Sequence, residues 1–96
     1  MERVIFRKEK NPYTKETDYL ALFPDDEANP GMVECLPFSF DGYGTAYFEP
    51  YCEADWRYIL DKTRIIHKRD AIAETLLKTV SAYCESELKL MEKNMR

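Results

Sequence analysis

Residues 70–84 read Asp70-Ala71-Ile72-Ala73-Glu74-Thr75-Leu76-Leu77-Lys78-Thr79-Val80-Ser81-Ala82-Tyr83-Cys84. Ile72, Ala73, Leu76, Leu77, Val80, Tyr83 and Cys84 recur at steps of three and four, and Leu88, Met91 and Met95 continue the series. That spacing is the broad apolar stripe of an amphipathic helix. Asp70 is the expected N-cap. Glu74-Lys78 and Glu85-Lys89 are favourable pairs one turn apart. A helix over 70–93 is about 36 Å long at 1.5 Å per residue. A compact domain of this size has a radius of gyration of about 13 Å, so the last turns are expected to overhang it. Positions 73, 77, 80, 84, 88, 91 and 95 also approximate a heptad seam with one stutter, which makes a homodimer through this helix a further expectation. The plainer alternative is that the stripe covers a sheet.

The sheet is expected upstream. All three glycines and all five prolines lie at or before position 50, so turn-formers are confined to the first half. Between that half and the long helix, Trp56, Ile59, Leu60 and Thr63 sit at i, i+3, i+4 and i+7 and predict a short helix. In the first fifty residues, 3–8 alternate as a strand and Asn11-Pro12-Tyr13-Thr14-Lys15 is turn chemistry. Asp18 to Phe23 is a second strand, ended by Pro24. Asp25-Asp26-Glu27-Ala28-Asn29-Pro30-Gly31 is a polar loop. Met32 to Leu36 and Thr45 to Glu49 are further strands, separated by the turn Asp41-Gly42-Tyr43-Gly44. The predicted fold class is therefore α+β in a single domain, with 1–50 forming the sheet and 51–96 the helical part. A three- to four-stranded antiparallel sheet is followed by a short helix and a long C-terminal helix packed on one face.

Composition sets outer bounds. With 96 residues and 45% hydrophobic content, the chain can bury one modest core. It contains no apolar run near the roughly 20 residues of a membrane span. The charged start, Met1-Glu2-Arg3 and Arg7-Lys8, is unlike a signal peptide and gives the expectation of a cytoplasmic protein with no membrane partner. Net charge is −4, all of it in residues 1–48, while residues 49–96 balance to zero. Such a protein does not attract phosphate backbones over long range. Three widely spaced cysteines, Cys35, Cys52 and Cys84, fit free thiols better than a disulfide framework.

The runs Val4-Ile5-Phe6-Arg7-Lys8, Leu20-Ala21-Leu22-Phe23-Pro24, Gly31-Met32 with Cys35, Ala54-Asp55-Trp56 and Thr63-Arg64 occur in that order across about residues 3–80. In these runs the chain resembles a group of small, uncharacterised bacterial proteins common on plasmids, transposons and phages of gut-type bacteria. The resemblance implies a compact sheet-plus-helix domain and no activity. It departs from the group in two places. Leu36-Pro37-Phe38-Ser39-Phe40 lacks the histidines that relatives carry after the third strand, and Ile65 stands where they have proline after Thr-Arg. No histidine-dependent role carries over.

Candidate chemistry is sparse. Cys35, Cys52, Cys84 and His67 could form a Cys₃His zinc set, but they lack the close pair such sites use, so structural thiols are favoured. His67 as the base for a thiol nucleophile is weighed against a partly exposed structural histidine, which is favoured. No catalytic residue, metal or cofactor is expected, and the chain is not expected to be an enzyme. Asp25, Asp26 and Glu27 form an acidic loop without the alternating ligands of a calcium site. Phe38, Phe40, Tyr43, Tyr47, Phe48, Tyr51 and Trp56 place seven of thirteen aromatics within nineteen residues, too many for the core alone. The expected function is a non-enzymatic protein-interaction module of mobile-element or phage type, an inhibitor of a host nucleic-acid-binding complex being the narrower form. Its contact residues are Asp25, Asp26, Glu27, Phe40, Tyr43 and Tyr47. The alternative is a nucleic-acid-binding accessory protein using Lys62, Arg64, His67, Lys68 and Arg69.

Overall fold

The computed structural model describes residues 3–94. The alternating start of the chain forms β1 (Ile5–Lys10), which hairpins into β2 (Thr17–Phe23). β3 (Met32–Phe40) pairs with β2 along its length. The short strands β4 (Ala46–Phe48) and β5 (Cys52–Asp55) both pair with the other side of β3. After the helix α1 (Trp56–Lys62), β6 (Arg64–Ile66) returns to pair with β1. The long helix α2 (Ala73–Asn94) follows. All pairings are antiparallel, in the order β4-β3-β2-β1-β6 with β5 beside β4 on the β3 edge.

The α+β class and the order of sheet then helix agree with the sequence. Two strands beyond the expected four lie after position 50, in the half read as helical. β6 carries two β-branched residues, but it is only three residues long and follows a helix directly. β5 reads Cys-Glu-Ala-Asp, with no β-branched residue, and is a strand because β3 offers an unpaired edge.

β4 and β5 are one edge strand broken by a bulge. Phe38 faces Phe48, whereas Cys35 faces Cys52, so Leu36-Pro37 oppose the three residues Glu49-Pro50-Tyr51. The extra residue shifts the alternation by one. Pro37 accounts for the place of the break. Its carbonyl accepts from the Glu49 amide at 2.9 Å, so its backbone faces this edge, where it has no N–H to offer.

Alternation along the strands divides two cores. Phe6, Ala21, Phe23, Leu36, Phe38 and Ile66 point to one face and are covered by Leu76 and Val80 of α2. Leu20, Leu22, Val33 and Cys35 point to the other and are covered by Ile59 of α1. The helices thus lie on opposite faces of the sheet rather than on one. Of the expected α1 stripe, Ile59 is fully buried and Leu60 is exposed. Asp55 caps α1, its carboxylate accepting from the Arg57 amide at 2.7 Å.

Asp70 does not cap α2 as expected. Its carboxylate accepts from the His67 amide at 2.9 Å, forming the turn that precedes the helix. The seam positions Ala73, Leu77, Val80 and Cys84 pack on the sheet. Beyond them Leu88, Leu90 and Met91 are exposed on the overhanging turns, and Met95 lies outside the described residues. No helix among the described residues is long and apolar enough to cross a membrane.

Candidate functional site at the hairpin end of the sheet

Two hairpin tips lie side by side at one end of the sheet, because β1 and β2 turn at residues 11–16 beside the β3–β4 turn at 41–45. Both are built the same way. In the first, the Asn11 side-chain oxygen accepts from the amides of Tyr13 (2.9 Å) and Thr14 (3.1 Å). In the second, Asp41 Oδ1 accepts from the amides of Tyr43 (2.8 Å) and Thr45 (2.9 Å). An Asn or Asp side chain that binds backbone two residues on fixes a turn locally. Each turn presents a tyrosine two residues after its Asx residue: Tyr13 is 92% exposed and Tyr43 is 95% exposed.

The Asp41 tip is also tied electrostatically. The amides of Thr45 and Tyr43 hold its carboxyl below the ordinary carboxylate range. The Tyr47 hydroxyl donates to Asp41 Oδ2 at 3.2 Å while the ring stays exposed. Tyr58 of α1 reaches the same end, donating to Glu9 at 3.0 Å, a bond that raises the Tyr58 pKa. Lys15, at φ 64°, completes the first tip.

The expected contact residues are not brought together. Asp25, Asp26 and Glu27 sit beyond Phe23, next to the start of β3, whereas Tyr43 and Tyr47 flank its far end. Eight residues of extended chain, about 26 Å, separate the two. The loop is held by its own contacts: Asp25 pairs with Arg3 at 3.6 Å, and Glu53 accepts from the Asn29 amide and side chain at 2.9 and 2.7 Å. Phe40 is half-buried and packs edge-on against Tyr19 and Phe38, so it braces the tip from below.

The basic cluster divides in the same way. Lys62 and Arg64 lie at the hairpin end, where Lys8 and Lys10 join them around a cleft of about 260 Å³ that also contains Glu9. His67 and Lys68 lie past the other end of β6. They line a larger groove of about 720 Å³ between β1, β6 and α2, with an apolar floor that includes Val4, Phe6, Ile66 and Leu77. Arg69 is exposed in the turn between.

Cys35 and Cys52 face each other across β3 and β5, both as free thiols. Burial pushes the Cys35 thiol up to about 12, with the neighbouring Cys52 adding to the rise. Cys84 packs with the α2 core, opposite the Cys35 core, and its sulfur is 3.5 Å from the Tyr51 hydroxyl. His67 stands apart in the turn before α2. The Cys₃His set is therefore dispersed, and no group of three or more potential metal ligands occurs among the described residues.

The sequence singles out Tyr43 and Tyr47 but not Tyr13, Tyr58, Lys8 or Lys10, which the fold brings to the same end of the sheet. The signal for Tyr13 was present, since Asn11-Pro12-Tyr13 and Asp41-Gly42-Tyr43 share Asx-x-Tyr spacing. The signal for Lys8 and Lys10 was absent, because β6 pairing brings them to Arg64 from fifty-odd residues away. No family model, curated protein or solved structure matches the chain.

Proposed function

We propose that this chain is a non-enzymatic protein-interaction module whose contact surface is the hairpin end, with Tyr13 and Tyr43 as anchors and Tyr47 beside them. The observation that supports this is the pair of side-chain-locked tips, each holding a tyrosine more than nine-tenths in solvent. Tyrosine offers a large amphipathic surface with only two rotatable side-chain angles, so ordering it on binding costs little. A tip already fixed by its Asx side chain costs less still. Lysines and carboxylates mix at this end, so shape and tyrosine contact, rather than long-range charge, select the partner.

The resemblance to mobile-element and phage proteins supports a host protein as that partner. Inhibition of a host nucleic-acid-binding complex is the narrower proposal. The acidic loop lies too far from the tips to share one small contact with them.

The test is quantitative capture from host extract with the wild-type chain and the Tyr13→Ser, Tyr43→Ser double variant. Loss of two anchors should lower partner recovery by about tenfold or more, as interface hot spots do. The melting temperature should stay unchanged, because both rings are exposed. Equal recovery by the two proteins contradicts the assignment.

One observation favours a second reading. Lys8, Lys10, Lys62 and Arg64 share a cleft, an arrangement that suits a phosphate backbone near exposed tyrosines that could stack on bases. Anisotropy of a labelled single-stranded oligonucleotide across a salt series tests it. Binding that weakens steeply with salt supports this reading, and salt-independent or absent binding removes it.

A further inference from the structure

β6 forms one edge of the sheet and pairs only with β1 among the described residues, so its outer backbone groups have no strand partner. The strand and its flanks read Lys62-Thr63-Arg64-Ile65-Ile66-His67-Lys68-Arg69. Of the nearby carboxylates, Asp61 contacts Lys62 at 3.5 Å, Asp70 holds the His67 amide, Glu74 pairs with Lys78 at 3.3 Å, and Glu9, which shares a cleft with Arg64, accepts from the Tyr58 hydroxyl. No salt bridge among the described residues takes Arg64, Lys68 or Arg69. Ile65 is 45% exposed beside the apolar groove of about 720 Å³.

We infer that the free edge of β6 is a docking site for an acidic, extended peptide segment of a partner protein, which adds as a further strand. The unpaired backbone supplies ladder hydrogen bonds, and side chains alternating along the incoming strand give specificity. Acidic residues of the segment meet Arg64, Lys68 and Arg69. Apolar residues on its other face reach Ile65, which alternates away from the α2 face that Arg64 and Ile66 share.

A charged edge also serves to discourage pairing with another copy. Two β6 edges brought together would oppose cations, and like charges across strands repel. The opposite edge is acidic, with Glu49, Glu53 and Asp55, but it is poorly suited to receive β6. Its ladder is bulged, Glu53 is spent on Asn29, and Asp55 caps α1. Both edges therefore favour a separate acidic strand over self-association.

The probe is a fluorescein-labelled, end-blocked ten-residue peptide alternating Glu with Val and Ile, measured by anisotropy at low ionic strength. Saturable binding is expected, with the corresponding Lys peptide inert. Two further peptides carry N-methyl groups at alternate residues, offset from each other by one. One of the two should bind at least about tenfold more weakly, because a strand pairs through every second amide. The Arg64→Glu, Lys68→Glu variant, whose far-ultraviolet circular dichroism should match wild type at these exposed positions, should lose binding by a similar factor. Equal binding of both methylated peptides, or of a glutamate-rich peptide without apolar residues, overturns the proposal. So does a single-stranded oligonucleotide that competes at equal concentration, or light scattering that rises without peptide.

Discussion

Asn11 and Asp41 do for the tips what no apolar contact can, since Tyr13 and Tyr43 touch little else. Asp41→Ala is expected to speed amide hydrogen exchange at Tyr43 and Thr45 while leaving the melting temperature nearly unchanged. Asp41→Asn, which keeps an acceptor, should retain more of the protection. Because Asp41 is held below its ordinary pKa, its contribution is present above the ordinary carboxylate value near 3.9 and fades as pH falls through the lower folded value. Proton exchange at the tip should therefore be pH-insensitive in relative terms from neutrality to mild acid, and the tip should loosen only below that range. Cys35 works in the opposite sense. Its raised pKa means the folded state holds a proton that the unfolded state releases, so stability declines as pH climbs from about 9 toward 12. The three tyrosines at 51, 58 and 83, also raised, act in the same direction. Replacing Cys35 with Ala should make the alkaline decline shallower. In the native protein exposed Cys52 should alkylate with iodoacetamide at the rate of a surface thiol, and buried Cys35 only on unfolding. Equal labelling of the two would contradict the placement of β5.

Among the elements, the bulge between β4 and β5 takes up one extra residue. With it, Ala54 joins Val33 and Cys35 under α1, while Phe48 turns to α2 and stacks on Tyr83 at 3.9 Å between ring centroids. Deleting Pro50 leaves Glu49 and Tyr51 opposite Pro37 and Leu36, a continuous ladder in which Cys52 and Ala54 keep the face they have. The deletion is therefore expected to keep the cooperative denaturation transition, with a midpoint close to that of wild type. Loss of the transition would contradict this register. Leu36→Ala, which empties a fully buried position at the centre of β3, should cost about 2–5 kcal/mol by chemical denaturation.

The amphipathic periodicity of α2 was legible because helical spacing repeats over many turns and no glycine or proline interrupts it. The hairpins were legible from Asn-Pro and Asp-Gly turn chemistry. β5 was not, because its strand character comes from an edge that β3 offers and not from its own residues. The opposite faces of the two helices were hidden for a related reason: Leu20, Ala21, Leu22 and Phe23 are all apolar, so β2 shows no alternation from which two buried faces could be told from one. At the site, local turn signals revealed Tyr43, while pairing between distant segments set the company it keeps.

For the whole molecule, α2 consumes most of its own seam on the sheet. Among the described residues, Leu88, Leu90 and Met91 remain outward on its last turns, a small patch beside the roughly 800 Å² per partner of a stable interface. Light scattering should give a mass near 11.4 kDa at high micromolar concentration, and a clean dimer mass would restore the coiled-coil expectation. A chain ending at Glu87 should keep the fold, with little change in melting temperature.

The claim that the paired tips make the contact is tested most directly by site-specific photocrosslinking. A benzophenone amino acid replaces Tyr13, Tyr43, Asp26 or Leu90 in turn, and the proteins are irradiated in host extract. Adducts to one common partner are expected from positions 13 and 43 and not from 26 or 90. Adducts from 26 or 90 with none from the tips would contradict the account.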